Sequence, residues 1–103
     1  MAARRFKVGF IGTGGRSVPY AKEYAACGEI DIVALADPAE AKRRHMTATA
    51  GLQGPIAEYA DFRDMLRAHA DLAGVVICSP NHLHTEHAVP CLERGLPVVI
   101  EKP

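Results

Sequence analysis

The sequence predicts an α/β fold with a doubly wound parallel sheet, and three observations support this prediction. Short apolar runs alternate along the whole chain with segments of helical periodicity. Those runs lack the apolar–polar alternation of a half-exposed strand, which indicates parallel strands covered on both faces. Helical segments between consecutive strands favour right-handed crossovers and the strand order 3-2-1-4-5, with ligands at the carboxyl ends of the strands.

The first third of the chain supplies two strands and the helix between them. An apolar strand at Phe6–Ile11 precedes a glycine-rich loop. Helical spacing over residues 17–27 predicts a helix that ends at Gly28, followed by a second strand at Ile30–Ala36. The residues expected on the buried face of this helix are Val18, Ala21 and Ala25.

The middle of the chain predicts a second helix, a short third strand and a third helix. Residues 38–50 form a helical segment that Gly51 ends, and residues 56–58 form an extended piece. Asp61 is the expected N-cap of the next helix. Its apolar stripe has i, i+3, i+4 and i+7 spacing and consists of Phe62, Met65, Leu66 and His69.

The last third predicts two more strands with a helix between them. A near-continuous apolar run at 73–78 is the fourth strand, and a turn leads from it into a helix that starts near His82 and ends at Gly95. Pro90 lies inside this helix and is expected to kink or shorten it. The fifth strand is Val98–Ile100, and no helix follows it to cover the flank beside it.

Composition excludes several classes of protein. The chain of 103 residues suits one domain, and 12 basic residues balance 12 acidic ones, which argues against a nucleic-acid binder. The apolar run near the N-terminus is too short for a secretion signal, and no run is long enough to cross a membrane. Three cysteines without a Cys-x-x-Cys pair indicate reduced thiols, so the cytoplasm is the expected compartment.

The loop after the first strand has the spacing of a dinucleotide fingerprint, because it follows a strand and opens a helix. Its first glycine is expected to make the tight turn and its second to let the backbone approach a pyrophosphate at the helix N-terminus. Serine occupies the third glycine position, where it is small enough to keep helix and strand close. The expected cofactor-binding residues of this Rossmann-like loop are Gly12, Thr13, Gly14, Gly15, Arg16 and Ser17.

Asp37 ends the second strand about twenty residues after the loop, where a ribose-binding acid is expected. Its carboxylate would accept hydrogen bonds from two ribose hydroxyls and repel a 2′-phosphate, which favours NAD over NADP. Arg43 and Arg44 keep NADP open as the alternative, although arginines two turns into a helix are more often solvated. An S-adenosylmethionine site, and hence a methyltransferase-like domain, is the main alternative to a dinucleotide site.

Two further motifs follow the fourth and fifth strands. They are Ser79-Pro80-Asn81-His82-Leu83-His84 and Glu101-Lys102-Pro103. Together with YADFRDML at 59–66, they resemble the Gfo/Idh/MocA family of NAD(P)-dependent oxidoreductases, whose fourth strand ends in Thr/Ser-Pro-Asn-x-x-His and whose fifth ends in Glu-Lys-Pro. The resemblance covers essentially the whole chain, and Ser17 is its main departure.

This resemblance implies hydride transfer between a nicotinamide and a secondary alcohol of a sugar, sugar acid or cyclitol. It makes Lys102 the expected catalytic residue, bonded to the reacting hydroxyl beside the nicotinamide. Glu101 is expected either to hold Lys102 or the nicotinamide ribose, or to form a plain surface ion pair. The family pattern also implies a cis Lys102–Pro103 bond, and Ser79, Pro80 and Asn81 as cofactor contacts.

Two interpretations of His84 remain open. It matches the family's histidine and shares a helix face with Ala88, Cys91 and Leu92, so it would lie near the cofactor, or it packs there bonded to backbone. A metal site formed by His82, His84 and His87 is not expected, because no cysteine or carboxylate completes a tight set.

We therefore expect residues 1–103 to form the dinucleotide-binding domain of an oxidoreductase, cut before a second α/β domain that carries the substrate pocket. The chain alone is then expected to bind NAD and to be inactive. Its partner is a small polyol or sugar, and homo-oligomers are expected only through the missing domain. The alternative is a non-catalytic dinucleotide-binding or sensing protein of the same fold.

Overall fold

The computed structural model describes residues 6–101. The expectations for Lys102 and for the Lys102–Pro103 peptide bond lie outside these residues. The described elements follow one another as β1 (Phe6–Ile11), α1 (Ser17–Ala26), β2 (Ile30–Ala36), α2 (Glu40–Ala50), β3 (Ala57–Tyr59), α3 (Phe62–Ala68), β4 (Gly74–Ile77), a single 3₁₀ turn (Asn81–Leu83), α4 (His84–Glu93) and β5 (Val98–Ile100).

The strands form one parallel sheet in the order β3-β2-β1-β4-β5, which confirms the predicted fold class and strand order. The register aligns the ends of the central strands, because Ile11 pairs with both Ala36 and Ile77. The residues that follow these three strands therefore lie side by side at the carboxyl edge. That edge brings together segments far apart in sequence.

Each face of the sheet packs against its own pair of helices. Phe10, Leu35 and Val76 face α1 and α2, where they contact Ala21 and Met46. The other face buries residues of β1, β2 and β4 against α3 and α4. Its buried members include Ile11, Ala36, Met65, Leu66, Ile77, Ala88 and Cys91. Since a fully buried large apolar side chain contributes about 1.5–3 kcal/mol, these two layers supply most of the stabilisation of the fold.

Some details of the helices differ from the sequence-based expectations. Ala25 is exposed, and Tyr24 instead packs edge-on against Phe10 with ring centroids 6.1 Å apart. Leu92 is also exposed, although its helical spacing predicts the buried face of α4. Helix α4 starts at His84, because residues 81–83 form the 3₁₀ turn. It includes Pro90 and ends at Glu93, and the kink expected at Pro90 stays a prediction.

The flank beside β5 exposes apolar side chains. Val99 and Ile100 are 45% and 42% exposed. Val89 and Leu92 of α4 are exposed as well. Among the helices of residues 6–101, none combines the length and the hydrophobicity that a membrane span requires.

Candidate functional site

A cleft of about 740 Å³ opens at the carboxyl edge of the sheet. The cleft is lined by the loop after β1 and by residues that follow β2, β3, β4 and β5. The predicted site residues that line it are Gly12, Gly14, Gly15, Arg16, Asp37, Ser79, Pro80, Asn81 and Glu101. Thr13, Ser17 and His84 do not line it.

The three glycines of the loop have two different roles. Gly12 has φ +88°, and a Cβ placed on it would lie 2.4 Å from the backbone nitrogen of Ser79. A Cβ on Gly14 or Gly15 would meet nothing within 4 Å. Gly12 is therefore required for the loop to turn against the end of β4, whereas the other two keep the space above the loop open.

The backbone of this loop presents hydrogen-bond donors to the cleft. The N–H groups of Gly14, Gly15 and Arg16 have no acceptor within residues 6–101. They precede α1, whose dipole adds positive potential at the same end. Consecutive unpaired backbone N–H groups at a helix N-terminus are suited to bind phosphate oxygens.

Ser17, the departure from the glycine motif, is accommodated inside the loop. Its side chain is fully buried, and its hydroxyl donates to the carbonyl oxygen of Gly14 at 2.7 Å. The Ser17 N–H donates to the same oxygen at 2.9 Å. These two bonds hold the loop closed while the small side chain lets α1 approach the sheet.

Asp37 fastens the loop to β2. One carboxylate oxygen accepts the Thr13 N–H at 2.9 Å, and the other accepts the Ala39 N–H at 2.8 Å. The Thr13 side chain is buried behind the loop, and its hydroxyl has no partner among the described residues. The second bond also explains why α2 starts at Glu40 rather than at Pro38, since Ala39 is held in an extended conformation.

The two arginines of α2 have different environments. Arg44 is 74% exposed and pairs with Glu40, as expected of a solvated side chain. The same expectation is wrong for Arg43, whose side chain is only 11% exposed. Its Nε donates to Glu58 Oε1 at 2.9 Å, and its guanidinium also donates to the backbone carbonyl of Asp37.

The turn after β4 is held by two histidines. His84 Nε2 donates to the carbonyl oxygen of Ser79 at 2.8 Å, so this nitrogen carries a proton. The Ser79 hydroxyl bonds His87 Nδ1 at 2.7 Å. His84 thus takes the backbone-bonded position, one of the two arrangements that its sequence position leaves open.

His87 lines the cleft, although sequence reasoning did not place it among the site residues. Its ring packs edge-on against Phe62 with centroids 4.7 Å apart. One signal in the sequence could have identified it, because His84 and His87 lie one helical turn apart and both can reach the same turn. The part of the chain described shows no group of three or more side chains arranged to hold a metal ion.

The far end of the cleft, at β4 and β5, carries an acid and a thiol. Glu101 is 18% exposed, and Arg16 of the glycine loop reaches it with Nη1 3.4 Å from Oε2. Burial, together with the charge of Glu101, raises the pKa of the Cys78 thiol to about 12. Cys78 is therefore protonated at neutral pH and is not a nucleophile.

The pH dependence of stability tests the environment of His87. Burial lowers the pKa of this residue from its ordinary 6.5, so the unfolded chain binds a proton before the folded protein does. As the pH falls below 6.5, the unfolded chain gains the proton first, so the free energy of unfolding decreases. The decrease ends once the pH is below the pKa of His87 in the folded protein. We expect the urea midpoint to fall more between about pH 7.5 and 5.5 in the wild type than in His87→Gln.

His82→Gln is the matched control, because His82 is exposed and forms no side-chain hydrogen bond within the described residues. Its pH profile is expected to parallel the wild type. If the urea midpoints of the wild type and His87→Gln changed with pH in parallel, this would contradict a lowered pKa for His87.

The fold and the site together define a class of protein. A glycine loop between β1 and α1 presents unpaired N–H groups, and an acid ends β2 beside it. These features define a Rossmann-type dinucleotide-binding domain. The GFO/IDH/MocA family, described as an oxidoreductase family with an NAD-binding Rossmann fold, matches residues 6–103. The chain belongs to this family, and NAD is its cofactor.

Individual relatives agree with this assignment. The rhizopine catabolism protein MocA of Rhizobium meliloti is 30% identical over 99 residues, which cover 96% of this chain and 29% of that protein. Inositol 2-dehydrogenase 1 of Saccharopolyspora erythraea is 32% identical, over 94% of this chain and 28% of its own length. The chain therefore spans less than a third of these relatives.

A solved structure supports the fold independently. The scyllo-inositol dehydrogenase of Lactobacillus casei, determined with bound NAD(H) and scyllo-inositol, superposes with a TM-score of 0.80 and 27% identity. The superposition covers 97% of this chain and 28% of that one.

Proposed function

We propose that this domain binds the NAD of an enzyme that transfers a hydride between the nicotinamide and a secondary alcohol of a sugar, sugar acid or cyclitol. The proposal rests on one observation. The unpaired N–H groups of Gly14, Gly15 and Arg16 lie at the same edge of the sheet as the Asp37 carboxylate. The inositol dehydrogenases among the relatives support the substrate class.

The order of the strands sets the direction in which the dinucleotide would lie. Asp37 follows β2 on one side of the glycine loop, and Glu101 follows β5 on the other. The pyrophosphate would bind the loop between them, with the adenosine ribose at Asp37 and the nicotinamide toward Glu101. The cofactor supplies the hydride acceptor, and the residues of this domain bind and orient it.

Lys102 is the proposed catalytic residue. It follows Glu101 directly in the sequence, so it would leave β5 at the nicotinamide end of the cleft. An ammonium there would donate to the alcohol oxygen, orient it and take part in moving its proton. Glu101 would balance this charge or bind the nicotinamide ribose, and Arg16, which contacts Glu101, would turn toward the pyrophosphate.

The length of the relatives supports a division of labour. Because the chain spans less than a third of them, we propose that the substrate pocket and any oligomer contacts belong to a further domain. The 103-residue chain would then bind NAD without oxidising a polyol. A non-catalytic dinucleotide-binding protein is the second candidate, since the cleft by itself supports binding equally well.

Calorimetry with the 103-residue chain tests the binding step. We expect NAD⁺ to bind and S-adenosylmethionine not to bind, because the row of loop N–H groups is suited to a pyrophosphate. Binding of S-adenosylmethionine without binding of NAD⁺ would be compatible with the fold but would contradict the proposed function. Oxidation of a polyol by the chain alone would contradict the division of labour.

A longer protein that contains this domain tests Lys102. Lys102→Met is expected to lower kcat by at least about 100-fold while NAD⁺ affinity changes little, since general acid–base groups contribute about 10²–10⁴-fold. Unchanged turnover would exclude Lys102 from the chemistry. Absence of turnover with every polyol in the wild type would favour the non-catalytic candidate.

A further inference from the structure

Arg43 lies next to the residue that would bind the adenosine ribose. Its guanidinium donates to the backbone carbonyl of Asp37, the residue whose carboxylate would bind the ribose. Rossmann domains that accept NADP hold the 2′-phosphate with an arginine near this position. Arg43 therefore lies beside Asp37 without lining the cleft itself, close to where a cation would decide between the two cofactors.

In the structure, the Arg43 guanidinium is already paired with a carboxylate. Glu58 of β3 accepts from Arg43 Nε at 2.9 Å, and β3 pairs with β2 so that Glu58 lies opposite Leu35. The Arg43 side chain is 11% exposed and the Glu58 side chain 39% exposed. A pair that is this sheltered on the arginine side is screened less by water and salt than the exposed Arg44–Glu40 pair.

We propose that Glu58 determines the cofactor preference by holding Arg43 away from the ribose 2′ position. With Arg43 neutralised by Glu58, a 2′-phosphate meets the negative Asp37 carboxylate without a compensating cation from this arginine. The uncharged ribose hydroxyls of NAD are not repelled by this carboxylate, so they can bind it without a nearby cation. The inference rests on the proposed binding of NAD in this cleft.

The test is the ratio of the dissociation constants of NADP⁺ and NAD⁺, measured by calorimetry or by competition. Glu58→Gln keeps the shape of the side chain and removes its charge, so the charge of the Arg43 guanidinium is no longer neutralised. We expect NADP⁺ affinity to rise by about tenfold, the scale of one charge-assisted hydrogen bond, while NAD⁺ affinity stays within about twofold. A variant that only damages the fold would bind both cofactors more weakly and leave the ratio of their dissociation constants unchanged.

Glu40→Gln is the matched control, because it removes the same charge from the neighbouring Arg44 pair on the helix surface. Its ratio is expected to equal that of the wild type. The double variant Glu58→Gln/Arg43→Gln is expected to lose the gain, which separates Arg43 from Lys42, an exposed cation that lines the cleft.

A ratio in Glu58→Gln equal to that in Glu40→Gln would overturn the proposal, as would a gain that persists in the double variant. Glu58→Ala serves as a second variant with the same expected shift, so a folding defect specific to glutamine leaves the test intact. Failure of the wild type to bind NAD⁺ would instead contradict the proposed function, and the two failures are distinguishable.

Discussion

Gly12→Ala is expected to lower the free energy of unfolding by about 3–5 kcal/mol, the range of the most damaging single substitutions. Two costs combine at this position. The φ of +88° is unfavourable for alanine by about 1–2 kcal/mol. The added methyl group would also lie 2.4 Å from the Ser79 nitrogen and 2.6 Å from its Cα, and neither backbone atom can move without displacing the end of β4.

Urea denaturation followed by circular dichroism measures this effect, and Gly15→Ala is the matched control. Gly15 lies three residues away in the same loop and carries no positive φ, and a methyl group added to it would meet no atom within 4 Å. Its stability is expected to stay close to the wild type while NAD⁺ affinity falls, because the methyl group would occupy the approach to the loop N–H groups. Equal free energies of unfolding for Gly12→Ala and Gly15→Ala would contradict the close approach of Gly12 to Ser79.

Asp37→Ala is expected to weaken both the fold and the site. The carboxylate accepts the N–H groups of Thr13 and Ala39, and its removal leaves two donors without their acceptor. Since Asp37 is half-buried, we expect a loss of about 2–3 kcal/mol in the free energy of unfolding. NAD⁺ affinity is expected to fall by at least about tenfold, because the ribose hydroxyls lose a charged acceptor.

The separation of these two effects requires a second variant and a control. Asp37→Asn keeps one carbonyl acceptor, so it is expected to recover part of the stability and little of the affinity. Asp64→Ala removes an exposed carboxylate that pairs with Arg67 on the surface of α3, and both stability and affinity should match the wild type. An Asp37→Ala protein with unchanged NAD⁺ affinity would exclude Asp37 from the ribose site.

The fold was predictable because its signals are local. Each strand is a short apolar run, each helix has its own periodicity, and parallel strands joined by right-handed crossovers leave few topologies. Positions just after the strands were predictable for the same reason. Once the strand order is known, the loop after β1 and Asp37 after β2 must meet at the carboxyl edge.

Contacts between distant side chains were not predictable in this way. The spacing of Arg43 on α2 is that of a solvated residue, yet Glu58 on the edge strand shelters it. His87 bonds Ser79 across the start of α4, and Phe62 from another helix packs on its ring. These partners depend on side-chain rotamers and on how closely the elements pack, which no periodicity reports.

The sequence by itself determined the sheet, the glycine loop and the acid beside it, because turn chemistry and hydrophobic spacing act within a few residues. Only the tertiary structure decided why Gly12 must be glycine, since its neighbour, Ser79, is 67 residues away. It also decided that Asp37 ties the loop to β2 and that Arg43 is committed to Glu58. The physical reason is that excluded volume and hydrogen-bond pairing are settled between elements, after the chain has brought their ends to one edge.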